Sequence, residues 1–105
     1  MTRAKFQLVL LWPAASSGDY EEMISFEDAV IAVLGDAGHV DGHEVGSGQM
    51  SVFVHTDDPI RAFERIRNLP RPIRLPPGLK VAYRSFDGER YEVLYPQGLT
   101  EFAVT

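Results

Sequence analysis

The apolar residues of this chain follow two spacings, one typical of β-strands and the other of α-helices. Residues 6–12 form an apolar, β-rich run that ends at Pro13, which is typical of a strand buried on both faces. Two later pairs of β-compatible runs are each separated by a short glycine-containing connection, which predicts two hairpins. Within the first pair, Asp41-Gly42 offers a competing turn or a bulge. The paired runs are residues 39–45 and 49–56 around Gly46-Ser47-Gly48, and residues 79–86 and 90–95 around Asp87-Gly88-Glu89.

Helical spacing first appears after the initial strand and predicts a helix from Asp19 or Ser25 to Asp36. Both starting points fit an N-terminal capping pattern, and two glycines close to the end of the segment break the helix. Glu27 and Asp28 are expected to point outward into solvent. The apolar positions of this helix are Met23, Phe26, Val30 and Val33.

A second helix is predicted from Pro59 to about Leu69, because Asp58 directly before a proline is a favoured N-cap and first-turn pair. A proline-rich segment follows it and is expected to run as an extended surface loop. The buried face of this helix is expected to consist of Ile60, Phe63 and Ile66.

The order of elements is strand, helix, strand, strand, helix, strand, strand. Right-handed crossovers would place both helices on one face of a mainly antiparallel sheet. We therefore predict an α+β fold, a ferredoxin-like βαββαβ sandwich with an extra C-terminal strand and the strand order 5-4-1-3-2. Residues 39–45 would form one edge of this sheet, and the pattern assigns no structure to residues 97–105.

Length and composition fit this prediction. The 105 residues, 45% of them hydrophobic and 24% charged, are typical of one globular domain, so residues 1–105 are predicted to form a single domain. The sequence contains no cysteine, which excludes disulfides, thiolate nucleophiles and cysteine-ligated metal centres.

Charge is divided unevenly along the chain. The formal net charge is −5, and no Lys or Arg occurs in residues 6–60, whereas residues 61–84 carry seven basic side chains against Glu64 alone. A net negative charge disfavours nucleic-acid backbones and anionic membranes, so we expect neither as a partner. The asymmetry could steer a charged partner or simply let the two halves of the fold attract each other.

No segment of the sequence is typical of a membrane span or a complete signal peptide. The apolar residues 8–12 are far fewer than the ~20 that a spanning helix needs. The expected location is therefore the cytoplasm.

The strongest candidate for metal chemistry is the histidine-rich stretch of the first hairpin. On a regular strand His39, Asp41 and His43 would share one face at ~6.6 Å intervals, and His55 lies on the next strand. Imidazoles with a carboxylate can bind zinc or another divalent ion. Polar side chains also protect an edge strand from pairing with other chains, and this explanation needs no metal.

The same residues allow acid–base catalysis, with His43 as the base and Asp41 or Glu44 orienting its ring. Glu44 would point to the opposite face of the strand, so Asp41 is the expected partner. Hydrolase or isomerase activity would follow from such a pair.

Basic side chains on and after the second helix form a candidate partner-binding surface, which an acidic protein would fit better than nucleic acid. A merely solvated helix face is the other interpretation. The residues are Arg61, Arg65, Arg71 and Arg74.

The sheet face without helices decides the expected assembly state. Alternation places Gln7, Val9 and Leu11 on one face of the first strand and other large apolar side chains on the opposite face. A bare apolar face would favour association, which predicts a homodimer formed through the sheet unless the C-terminal residues cover it.

The hairpin Asp41-Gly42-His43-Glu44-Val45-Gly46-Ser47-Gly48, with the apolar residues 52–54 and Asp57-Asp58-Pro59 after it, resembles a group of small, uncharacterised bacterial proteins. Those proteins share a D-G-x-E-x-G-x-G hairpin, an apolar strand and an acidic helix start. The resemblance covers residues 6–95 and implies a bacterial, ferredoxin-like protein. It implies no activity, cofactor or catalytic residue.

Two functional hypotheses follow. The first is a non-enzymatic association or regulatory domain that acts as a homodimer and needs no cofactor. The second is a small-molecule or divalent-metal-binding domain, with possible hydrolase or isomerase activity, that uses His39, Asp41, His43 and His55. The fold hosts both kinds of protein and does not decide between them.

Overall fold

The computed structural model describes residues 4–14, 18–70, 73–99 and 102. Within these residues, five strands and two helices follow one another along the chain, with a 3-10 turn, Gly35–Ala37, after the first helix. The elements are β1 (Phe6–Pro13), α1 (Gly18–Leu34), β2 (His39–Gly46), β3 (Gln49–Thr56), α2 (Pro59–Arg67), β4 (Lys80–Ser85) and β5 (Glu92–Tyr95).

All strand pairings are antiparallel, and the order across the sheet is β2-β3-β1-β4-β5. The same order read from the β5 edge is 5-4-1-3-2. The apolar strand β1 lies at the centre, where Leu10 is opposite Val52 of β3 and Val81 of β4. The histidine-rich strand β2 forms one edge, as the sequence predicts.

Both helices pack on the same side of the sheet. Alternate residues of β1, namely Leu8, Leu10 and Trp12, belong to one buried cluster with residues of α1 and α2. The α1 members of the cluster include all of the predicted residues except Val33, which packs at its margin. The helical members are Met23, Phe26, Val30 and Leu34 of α1 and Ala62, Phe63 and Ile66 of α2.

The buried face of α2 differs from the prediction at one position. Ile60 is 59% exposed, while Pro59 and Ala62 are buried beside Phe63 and Ile66. The observed stripe follows the i, i+3, i+4, i+7 spacing from Pro59, and Ile60 falls outside it. The helix begins as predicted, because Asp58 Oδ1 accepts a hydrogen bond from the backbone N–H of Arg61 at 3.1 Å.

The first hairpin turns through two residues with positive φ, Ser47 at 53° and Gly48 at 73°. This conformation matches a two-residue type I′ turn, which suits the twist of the flanking strands. The second predicted hairpin is also present as the antiparallel pair β4–β5, and the Gly88 N–H donates to the Ser85 carbonyl within its connection.

Three central apolar side chains on the helix-free face of the sheet are already buried within the chain. Val9, Leu11 and Ala82, which alternate with the residues of the helix-side core, are at most 2% exposed. Since these side chains have no surface left to lose, their burial cannot drive a dimer. Of the C-terminal tail, Phe102 lies against the Tyr91 ring at 5.1 Å, while residues 100–101 and 103–105 lie outside the described residues.

In the part of the chain that the structure describes, neither helix combines the length and the apolar character needed to cross a bilayer.

Candidate metal site at the edge of the sheet

A β-bulge in the edge strand decides where the candidate ligands point. His39 is opposite His55, and Val40 is opposite Val54, but the next paired residue of β2 is Gly42. Asp41 is therefore an extra residue in the ladder, and the alternation of side chains shifts by one position after it. The bulge, one of the two alternatives that the sequence allows at Asp41-Gly42, replaces the regular strand assumed in the prediction.

Because of this shift, the predicted ligands do not all share a face. His39, Asp41 and His55 lie together on the helix-free side of the sheet, whereas His43 is opposite Val52 and points toward the helices. The expectation that His39, Asp41 and His43 share one face is wrong for His43. Side chains alternate between the two faces of a strand only while the pairing with the next strand is regular.

The three remaining side chains converge closely. Each offers one ligand atom, and these atoms all lie within 4.8 Å of one another. Within the group, His55 Nε2 lies 3.5 Å from Asp41 Oδ2. The rings of His39 and His55 meet edge to face, with their centroids 5.2 Å apart.

The separations suit a divalent ion after small side-chain rotations. A tetrahedral ion with bonds of about 2.0–2.2 Å needs its ligand atoms somewhat closer together than 4.8 Å. His39 and Asp41 are exposed, so their side chains can rotate without disturbing the core. His55 is less accessible, at 22%, and is the most restrained of the three.

One contact restrains the His55 ring, and a second one restrains the end of the strand that carries it. Its ring packs edge to face on Phe86 at 4.8 Å, in the connection after β4. Next to it, the Thr56 hydroxyl donates to the Ala37 carbonyl at 2.6 Å and fixes the end of β3 to the segment before β2. Gly38 allows this approach, because a Cβ there would lie 2.8 Å from the His55 carbonyl oxygen.

His43 instead pairs with the first helix. Its Nδ1–H donates to Glu27 Oε2 at 2.9 Å, and the Tyr20 ring lies edge to face at 6.1 Å. The predicted orientation of His43 by Asp41 is therefore wrong, since Glu27 takes that role. Glu27 is also not turned outward, because its side chain is only 12% exposed.

The sequence does contain a signal for this pair. Glu27 lies four residues after Met23 and three before Val30, so it borders the apolar stripe of α1. A carboxylate at that border can reach a side chain on the sheet beneath the helix. The hydrophobic pattern alone does not show which strand residue lies there.

The predicted arginine surface is partly engaged within the chain. Arg61 and Arg65 both pair with Asp36 just after α1, at 3.0 and 3.3 Å, and Arg65 Nη1 donates to the Leu34 carbonyl. Arg74 is exposed in the loop before β4, and Arg71 lies outside the described residues. The first two arginines therefore tie α2 to the end of α1.

A cleft of about 410 Å³ opens beside the three converging ligands. Two of them, His39 and His55, line it, together with residues of the α1–β2 connection and the start of α2. Its charged lining side chains are Asp36, Asp57, Asp58 and Arg61.

Comparison with protein-family models, with curated proteins and with solved structures found no match.

Proposed function

We propose that this protein binds a divalent transition-metal ion through His39, Asp41 and His55, at the edge of a ferredoxin-like fold. The supporting observation is that the bulge and the antiparallel pairing bring two imidazoles and a carboxylate within 4.8 Å. The three residues come from two strands, so the ladder holds the strands that carry them in a fixed register.

The ligand types define the class of ion. Imidazole nitrogen suits zinc, copper, iron and nickel, whereas calcium and magnesium prefer sites made of oxygen ligands. Two histidines with one carboxylate form a set that occurs with zinc and with non-haem iron. The proposal is therefore a zinc-class ion rather than calcium or magnesium.

Zinc titration followed by NMR of the histidine side chains tests this proposal. Zn²⁺ should shift the imidazole signals of His39 and His55 together at one equivalent, with the Asp41 carboxyl signal moving in parallel. The His43 signals should change least, because that ring points to the other side of the sheet.

Matched variants separate the site from ordinary histidine binding. His39→Gln, Asp41→Asn and His55→Gln should each weaken zinc binding by more than the roughly 10–100-fold that loss of an outer-shell partner costs. His43→Gln removes a histidine from the same strand and should leave the affinity within about threefold, because that side chain supplies no ligand. Isothermal titration calorimetry measures all four.

Two results would overturn the proposal. One is the absence of zinc binding by the folded wild-type protein at millimolar metal. The other is an equal loss of affinity in the His43→Gln and His39→Gln variants, which would indicate binding by scattered surface histidines.

A further inference from the structure

We infer that the metal ion, once bound as proposed above, keeps a coordination position open beside the neighbouring cleft, where it takes a neutral donor in preference to an anion. This inference rests on the proposed function and adds the ligand class of the site. It is carried by the number of ligands, the position of the cleft and the charges that line it.

The ligand count leaves the coordination shell incomplete. Among the described residues, the converging group contains three members and no fourth histidine or carboxylate. Structural zinc sites are almost always closed by four protein ligands, whereas catalytic sites use three and leave one position for water or substrate. Two histidines and one carboxylate belong to the second type.

The cleft lies next to two of the proposed ligands. His39 and His55 are both metal ligands in the proposal and lining residues of the cleft. A volume of about 410 Å³ is ample for a ring the size of imidazole. A molecule in the cleft therefore lies beside two of the three ligands.

The charges of the cleft favour a neutral or cationic molecule. Of the three carboxylates that line it, Asp36 is compensated by Arg61 at 3.0 Å and Arg65 at 3.3 Å, so the negative charge of the cleft comes from Asp57 and Asp58. Asp57 and Asp58 are held in place by hydrogen bonds, Asp57 from the Lys5 N–H and Asp58 from the first turn of α2. Fixed negative charges in the lining lower the local concentration of anions.

Cobalt(II) provides the test, because its visible absorption reports the coordination number and ligands of a zinc-type site. The full chain is loaded with Co²⁺ and titrated with imidazole and, separately, with azide. Imidazole should change the position and intensity of the visible bands with saturation, and azide should do so only at higher concentration.

A variant that removes one charge from the cleft separates the effect of the cleft charges from the intrinsic affinity of the metal for imidazole and azide. Asp57→Asn keeps an oxygen that can accept the Lys5 N–H and removes one negative charge. It should strengthen azide binding by about twofold and leave imidazole binding unchanged, since only azide is charged. Asp28→Asn, which removes the same charge from an exposed position on α1 outside the cleft lining, is the control and should change neither.

The outcomes distinguish the two proposals. If Co²⁺ does not bind, both fail. If Co²⁺ binds but neither probe alters its spectrum, the metal site stands and the open position is overturned. If both probes bind and Asp57→Asn has no more effect on azide than Asp28→Asn, the preference for a neutral donor is overturned.

Discussion

At the scale of single residues, the Glu27–His43 pair joins the first helix to the edge strand. The carboxylate is largely buried, and it accepts the Nδ1–H of a ring that is 30% exposed. Since an ionised carboxylate can only accept, the hydrogen of this contact lies on His43 Nδ1. The pair stabilises the position of β2 beneath α1.

Removing the carboxylate should therefore destabilise the fold. Glu27→Ala is expected to lower the free energy of unfolding by roughly 1–3 kcal/mol, because a buried hydrogen bond to a charged group is lost. Urea denaturation followed by circular dichroism measures this change. Glu22→Ala, an exposed position on the same helix, should stay within about 0.5 kcal/mol, and equal losses would contradict the assigned role of Glu27.

The sequence places the four candidate residues on the two strands of the first hairpin, and its prediction of a shared face is wrong for His43 alone. His39, Asp41 and His55 were recognised from residue type and hairpin pairing, and these features survive in the structure. His43 could not be excluded from the sequence, because a single bulge reverses the side-chain alternation and the pattern does not locate the bulged residue.

Among the elements, the start of β2 depends on the absence of a side chain at Gly38. A Cβ on Gly38 would meet the His55 carbonyl oxygen at 2.8 Å and atoms of Thr56 and Val54 at 3.2 Å. The first of these contacts involves backbone, which cannot turn away as a flexible side chain can. The close approach of this segment to β3 is thus part of how His39 and His55 come together.

Gly38→Ala should lower stability by about 1–3 kcal/mol, the usual cost of inserting a group into a packed contact. Gly42→Ala is the matched substitution, because nothing lies within 4 Å of a Cβ at that position. Thermal and urea unfolding compare the two. A Gly42→Ala loss as large as that of Gly38→Ala would show that the cost comes from chain flexibility rather than from the contact.

The second helix provides a test of the buried face. Phe63→Ala should cost about 3–5 kcal/mol, because Phe63 is 4% exposed and packs in the core cluster. Ile60→Ala should stay within about 0.5 kcal/mol, because that side chain is largely exposed. Comparable losses in the two variants would show that the face of α2 is assigned wrongly.

The helices and strands themselves were largely predictable. Proline, glycine and capping signals marked the start of α2 at Pro59 and both hairpins. The exposure of Ile60 was not predictable from periodicity alone, since a nine-residue helix allows two neighbouring stripes and the sheet beneath it selects one.

For the molecule as a whole, the sequence predicts that the face of the sheet without helices is bare and apolar. The argument for a dimer through this face rests on exposed apolar surface, whereas the β1 side chains Val9 and Leu11 are buried there. Burial of this kind depends on how the chain is arranged around the sheet, which the alternation along one strand does not show.

The homodimer remains a prediction with a direct test. Light scattering at high micromolar concentration distinguishes a particle of 11.7 kDa from one of twice that mass. A dimer would have to use a surface other than Val9, Leu11 and Ala82, so Val9→Ala should not dissociate it. A strict monomer would leave the association hypothesis without support.

The edge strand β2 is fastened to α1 by His43 and carries two of the three proposed ligands on its other side. A bound metal ion would link β2 to β3 a second time, at the edge of the sheet where backbone hydrogen bonds open most easily. Amide protons of residues 39–43 should then exchange with deuterium more slowly in the loaded protein, whereas those at the opposite border in β5 should keep their rate. Hydrogen-exchange mass spectrometry would therefore report occupancy of the site as slower amide exchange at the β2 edge alone.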